Sequence, residues 1–344
     1  MKALLMKEYK KLEYADVPDP KISGAKDILV KVKAVSVCGS DVHGFDGSTG
    51  RRKPPVIMGH EAAGVVENAG SGVTLFKKGD RITFDSTIWC GECFFCRNGD
   101  VNLCDNRRVL GVSCDEYVQD GCFAEYVVVP ERICFKLPDD LSFEDASLTE
   151  PAAVAAHAVR QTPVALNETV AVVGAGLIGL LAIQILRASG CGLVIALDTD
   201  AAHRKAALLA GACAEADPAD ADLLKKIAAL TNGRGVDRTL EAVGAAASIK
   251  TAVAITRKGG SVTLIGNISP TIELPLQQVV TRQLRLQGTC AIAGEYPLVL
   301  DMMARKKINA RSIISRVAPL SEGQIWFDKL YNRQDNLLKV VLAP

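Results

Sequence analysis

Near its start the chain carries Cys38-Gly-Ser-Asp-Val-His43 and then, closing the same loop, Gly59-His60-Glu61. A thiol at one end, an imidazole at the other, and hydroxyl and carboxylate groups between them are the donors that a zinc ion takes. A catalytic zinc uses three protein ligands in tetrahedral geometry and leaves the fourth position for water or substrate. Cys38 and His60 supply two of the three. Read alone, the same pair is more simply a small buried hydrophobe and a hydrogen-bonded core histidine, and it is the rest of the chain that reverses this.

A second set of thiols is stronger evidence for metal. In Cys90-Gly-Glu-Cys93-Phe-Phe-Cys96-Arg-Asn-Gly-Asp-Val-Asn-Leu-Cys104, four sulfurs recur at short intervals on a segment loosened by Gly91 and Gly99. They can surround one ion from every tetrahedral corner, and an all-cysteine shell has no position for substrate, which makes the site structural. Iron–sulfur ligation is the competing use, but the bacterial cluster pattern places its fourth Cys three residues on and before a Pro. That feature is absent here.

Phosphate chemistry comes later. Residues 168–173 read as a buried strand that runs into Gly174-Ala-Gly176-Leu177-Ile178-Gly179, followed by a helical pattern over 180–189. Between strand and helix, this glycine spacing lets the chain turn sharply, approach a pyrophosphate with bare backbone, and pack helix on strand, with the helix N-terminus facing the anion. The next strand, 193–197, ends at Asp198. A carboxylate there accepts from the adenosine ribose hydroxyls and repels a 2′-phosphate, so NAD is expected over NADP. A helix cap is the alternative use of Asp198, with Thr199 or Asp200 equally placed for it, and His203 and Arg204 are cations that a phosphate would meet. Gly244 and Gly266 follow two further strands, 236–240 and 260–266, at the edge where open parallel sheets hold ligands.

Two kinds of scaffold are needed to position these groups. Up to about residue 151, short strands at 28–35, 62–67, 81–84 and 124–129 alternate between Gly, Pro and Asp turns, as in an irregular, mostly β domain. Beyond it, strands alternate with helices at 220–230 and 245–256, and a sixth strand is expected over 282–288, as in a doubly wound α/β sheet. A helix at 296–306 and a strand at 337–342 are expected to rejoin the first domain. A chain of 344 residues exceeds the roughly 250–300 at which single cores stop growing. The expected division is 1–152 with 289–344 for the zinc-binding domain, and 153–288 for the NAD-binding domain.

Composition narrows the partners. Forty Lys and Arg against 39 Asp and Glu leave a net charge of +1, with no electrostatic footprint for nucleic acid or a membrane surface. Eleven cysteines are an odd number for full disulfide pairing and suit metal ligation better. The apolar run 170–186 is shorter than the roughly 20 residues of a span and carries three glycines. The opening residues acquire charge too soon for a signal peptide. A cytoplasmic, small-molecule enzyme is expected.

These motifs, together with Asp120-Gly-Cys-Phe-Ala-Glu-Tyr126 and Glu150-Pro151, resemble in order and type the zinc-containing medium-chain alcohol/polyol dehydrogenases along nearly the whole chain. The resemblance implies a GroES-like catalytic domain beside a Rossmann domain, one catalytic and one structural zinc, NAD, and a homodimer or homotetramer. Where ethanol-type members have a third cysteine ligand, this chain has Glu150, as in the sorbitol, galactitol-phosphate and threonine branches. Glu150 or Glu61 then completes the shell of Cys38 and His60, although Glu150 also suits the cap of a helix that starts at Pro151.

By the same resemblance Ser40 is the relay hydroxyl, His43 passes the proton on towards solvent, and Asp41 orients a metal-binding histidine. The implied reaction is hydride transfer from a secondary hydroxyl of a polyol, sugar alcohol or polyol phosphate to NAD. Threonine-type oxidation and a non-catalytic NAD-binding relative are the alternatives. The chain departs from the sorbitol branch at Gly44-Phe45 and Ala291-Ile292, where that branch carries aromatics and an Arg-Tyr pair. Arg51, Arg52 and Lys53 would suit a phosphorylated or acidic substrate, or else form a solvated basic face.

Overall fold

The computed structural model describes all residues from Met1 to Pro344. It divides into one unit of Met1–Glu150 with Ile292–Pro344 and a second of Pro151–Ala291.

The first unit is built on the strand Asp27–Ser36. Its burial alternates through the first eight residues, as an antiparallel strand with one face on the core requires. On one side it pairs with Glu61–Ala69, Ser36 lying opposite Glu61. On the other it pairs first with Tyr126–Pro130 and then with the C-terminal strand Lys339–Ala343, Val341 opposite Ser36. The last strand of the chain is thus laid beside the first long one. Among the segments that went unread in the sequence are the hairpin Lys2–Glu8 with Lys11–Asp16, and the pair formed by strand Ile314–Pro319 and helix Gly323–Tyr331. Phe45, Phe123 and Phe327 meet in this core, with Phe45 5.3 Å and Phe123 5.6 Å from Phe327.

The second unit holds six parallel strands. In spatial order they are Ala214–Ala216, Leu193–Leu197, Thr169–Val173, Val236–Glu241, Thr256–Leu264 and Arg285–Gly288. Numbered along the chain, the order is 3-2-1-4-5-6, that of a dinucleotide-binding doubly wound sheet. Central strands of such a sheet are covered on both faces, so they read as unbroken apolar runs; Val170, Ala171 and Val172 are fully buried. The order reverses between Thr169–Val173 and Val236–Glu241, and both Gly174 and Gly244 lie just beyond the carboxyl ends of those two strands.

Candidate metal centres and dinucleotide site

Cys38 precedes a short helix, Gly39–Gly44, whose Asp41 carboxylate accepts from the Cys38 N–H at 3.4 Å. Glu61 opens the strand that pairs with Asp27–Ser36, and His60 immediately precedes it. This brings one ligand atom each of Cys38, His60 and Glu61 within 4.8 Å of one another. His60 Nδ1 stands 3.4 Å from Asp41 Oδ1, short of a formed hydrogen bond. Burial opposes the charge on Asp41, but His60 and Arg52 outweigh it and hold the carboxyl well below its usual range.

Glu61 is wholly buried. Ser36 Oγ donates to its Oε2, Lys339 Nζ is ion-paired to the same oxygen, and Oε1 has no partner. An unpartnered buried carboxylate oxygen is costly, and here it belongs to a cluster with a thiol and an imidazole. The donor set and the orphaned oxygen both fit zinc. Glu150 lies outside the cluster: it is buried in the first turn of the helix Thr149–Gln161 and accepts from Ser86 Oγ at 2.8 Å. Burial, against the pull of His60, pushes its carboxyl up to about 7. Ser40 and His43 are both exposed on the short helix.

Cys90, Cys93, Cys96 and Cys104 also gather their sulfurs within 4.8 Å, all as free thiols. Cys90 Sγ and Cys96 Sγ are 4.0 Å apart. Tetrahedral zinc with bonds of about 2.3 Å sets sulfurs about 3.8 Å from one another, so this cage also fits.

In the second unit Gly174 has φ +95°, a conformation that few other residues adopt at no cost. A Cβ on Gly179 would stand 1.9 Å from Gly174 O, whereas one on Gly176 would meet nothing within 4 Å. The open space over Gly176, at the start of the helix Leu177–Ala188, fits a pyrophosphate. Leu177 and Ile178 form the first turn of that helix. Asp198 is not the cap of the following helix, Ala201–Leu209; Asp200 is, accepting from Ala202 N at 2.7 Å. Asp198 instead takes Ala175 N at 2.7 Å and Asp200 N at 2.8 Å, with His203 Nδ1 at 3.4 Å. Arg204 is engaged with Glu215 at 2.6 Å and Asp217 at 3.5 Å. Gly244 and Gly266 pack backbone to backbone, so that a Cβ on either would strike the other's peptide.

One expectation about the substrate side changes. Arg52 is only 4% exposed and is paired with Asp41, and Lys53 is paired with Asp115; of the basic triplet, Arg51 alone makes no ion pair. Phe45 packs into the core against Phe327 and Tyr331. A run of adjacent cations gives no sign of which of them turns inward, and an acidic partner eleven positions away shows no periodicity.

Similarity to known proteins agrees with this geometry. Residues 24–139 match the alcohol dehydrogenase GroES-like domain, and residues 178–305 match the zinc-binding dehydrogenase family. D-xylulose reductase A of Aspergillus oryzae is 33% identical over 328 residues, covering 93% of this chain and 90% of that protein. Sorbitol dehydrogenase of Bacillus subtilis is 32% identical over 349 residues, 100% of this chain and 97% of the other. Among solved structures, one described as a zinc-binding dehydrogenase of Sinorhizobium meliloti bound to NADP superposes with a TM-score of 0.91. It is 34% identical and the alignment covers 100% and 99% of the two chains. The chain belongs to the zinc-containing medium-chain alcohol/polyol dehydrogenase family. It is accordingly a zinc- and nicotinamide-dependent oxidoreductase acting on CH–OH groups.

Proposed function

We propose that the chain oxidises a secondary hydroxyl of a neutral polyol or sugar alcohol with NAD, and that Cys38, His60 and Glu61 hold the catalytic zinc. The observation that carries this reading is the Cys38–His60–Glu61 cluster, half-buried at Cys38 and buried at His60 and Glu61, with its unpartnered carboxylate oxygen. Zinc there would supply Lewis acidity to a substrate hydroxyl, and NAD would accept the hydride. Cys38 and His60 anchor the site, with Asp41 behind the His60 ring. Glu150 stands in reserve on Ser86, a buried carboxyl beside the cluster. Ser40 takes the hydroxyl proton, and His43, exposed on the same helical turn, passes it to solvent. Cys90, Cys93, Cys96 and Cys104 hold a structural zinc.

The cofactor reading rests on Gly174, Gly176, Leu177, Ile178 and Gly179 for the pyrophosphate, on Gly244 and Gly266 at the strand ends, and on Asp198 for the ribose. Asp198 has an anionic carboxylate met by three donors, Ala175 N, Asp200 N and His203 Nδ1, which leaves room among its roughly four acceptor positions for a ribose hydroxyl. That favours NAD in this chain, although the Sinorhizobium protein carries NADP.

The neutral polyol rests on the commitment of Arg52 and Lys53 to other partners and on the relatives named for sorbitol and xylulose. Assembly as a homodimer or homotetramer is supported by the strand Arg285–Gly288, an unpaired sheet edge. Just before it, the helix Leu276–Thr281 exposes Leu276 and Val280. No helix is long and apolar enough to cross a membrane, and a cytoplasmic location accords with the reduced cysteines the metal sites need.

Metal analysis and a substrate panel test the reading. About two zinc ions per chain, with one lost and activity abolished in Cys38→Ser, are expected, as is faster NAD reduction with a polyol than with threonine. One zinc per chain, unaffected by Cys38→Ser, would sink the catalytic centre; threonine as the best substrate would move the enzyme to the amino-alcohol branch.

A further inference from the structure

Arg52 is buried in the first unit, beside the Cys38–His60–Glu61 cluster's supporting carboxylate Asp41. Its guanidinium donates through Nε and Nη2 to Asp41 Oδ1 at 3.2 and 3.1 Å, and through Nη2 to Ser40 Oγ at 3.3 Å, while Nη1 donates to its own neighbour, Arg51 O, at 3.1 Å. The same Asp41 oxygen faces His60 Nδ1. The aliphatic stem passes where Gly44 has no side chain: a Cβ built there would lie 2.3 Å from Arg52 Cγ. One buried cation therefore touches both the carboxylate behind a zinc-binding histidine and the hydroxyl read as the proton relay.

We propose that Arg52 is a positioning residue for the alcohol-oxidising site, its guanidinium holding Asp41 and Ser40 at once. The inference rests on the zinc reading given above.

Two consequences follow from elementary chemistry. A guanidinium has only donors, so Ser40 Oγ must accept from Arg52. The hydroxyl's own proton is then directed away from Arg52, towards the next acceptor. As the substrate O–H bond breaks and a new O–H bond forms on Ser40, that earlier proton leaves along the relay, and the hydroxyl ends as it began. The second consequence is electrostatic. Asp41 is fully buried, and without a counter-cation its charge would act through the His60 ring on whatever His60 binds. Arg52 balances it and keeps the site electrophilic. Lysine cannot replace both functions, because an ammonium is a point charge without the planar fork.

The test uses the full-length enzyme with Arg52→Gln, Arg52→Lys and Gly44→Ala. Gly44→Ala leaves every charge in place but pushes the Arg52 stem aside. Loss of a group supporting a metal ligand typically costs about 10- to 100-fold in activity or metal affinity. The expected result is a kcat lowered by that factor in Arg52→Gln and Gly44→Ala, with NADH binding unchanged. When cobalt replaces the catalytic zinc, the visible bands of both variants should shift, a readout independent of turnover. Arg52→Lys should keep the wild-type cobalt spectrum, because Asp41 remains paired, yet still lose kcat. In a double-mutant cycle, Arg52→Gln should cost much less on a Ser40→Ala background than alone.

Variants within twofold of wild type in kcat with unchanged cobalt bands would overturn the proposal, and so would strictly additive losses in the cycle. Should Arg52→Gln fail to fold, Arg52→Lys and Gly44→Ala decide the matter alone by the same criteria. A wild-type enzyme holding a single zinc refutes the zinc reading and this inference with it. Two zinc ions in a wild type whose variants all behave normally refute only the role of Arg52.

Discussion

Lys339 and Glu61 form an ion pair in which neither side chain has appreciable contact with water: they are 1% and 0% exposed. Lys339 arrives on the last strand and Glu61 on the strand to the other side of Asp27–Ser36, and the ammonium also donates to Val37 O at 2.9 Å. The pair leaves one Glu61 oxygen free beside Cys38 and His60. Removing one member of such a pair strands a buried charge and costs about 3–5 kcal/mol. Lys339→Met should therefore destabilise the first unit by that order and loosen its zinc, while Lys339→Arg should restore much of both. Trp89 and Trp326 are the only two tryptophans and both lie in this unit. Denaturation followed by tryptophan fluorescence thus reports on it alone, and an unchanged midpoint in Lys339→Met would contradict the expectation.

Cys93→Ser attacks the other metal cage. A closed four-sulfur site contributes folding energy directly, so the variant should bind one zinc fewer and unfold at lower temperature, with the Cys38–His60–Glu61 cluster chemically untouched. Full metal content with unaltered thermal stability would show that the four thiols do not hold the ion.

How legible such features were depended on whether their cause is local. Gly174 and Gly179 announce themselves because a tight turn and a helix resting on a strand both exclude a side chain, and the four cysteines because ligand spacing is written along one segment. Lys339 and Arg52 were illegible. A lysine at the start of an apolar strand and an arginine within a basic run look like solvated charges, and only the pairing of distant strands shows that each meets a buried carboxylate. Asp198 and Asp200 were ambiguous for a related reason: either can cap a helix, and the structure gives that task to Asp200. The Ala201–Leu209 helix it caps went unread.

Asp198→Ala should weaken NAD and relax discrimination against NADP. A hydrogen bond to a charged group is worth about 1.5–3 kcal/mol, or roughly 10- to 150-fold in affinity at about 1.4 kcal/mol per tenfold. His203 offers a second reading of the same substitution. Its hydrogen bond to Asp198, opposed in part by burial, raises its pKa above the ordinary histidine value, and the charge of Asp198 adds to the rise. In Asp198→Ala the ring should titrate at lower pH, as followed by NMR of this one of only four histidines. A shifted His203 with an unmoved NAD/NADP ratio would confine Asp198 to the loop and remove it from cofactor choice.

Substrate charge is the final prediction. A phosphorylated polyol would need free cations, and in the basic triplet Arg52 is buried on Asp41 and Lys53 is drawn to Asp115. That leaves Arg51, whose side chain is exposed and whose carbonyl is taken by Arg52. A single solvated arginine adds little, since exposed ion pairs are worth roughly 0–1 kcal/mol. Arg51→Ala should then leave kcat/KM for a neutral polyol within about twofold of wild type, and polyol phosphates should turn over more slowly than their parents. The measurement is a panel of sorbitol, xylitol and galactitol with their phosphates, assayed with NAD on both proteins. A phosphate preferred by tenfold or more in the wild type, with that preference lost in Arg51→Ala, would reverse the assignment and make Arg51 the anion-binding group.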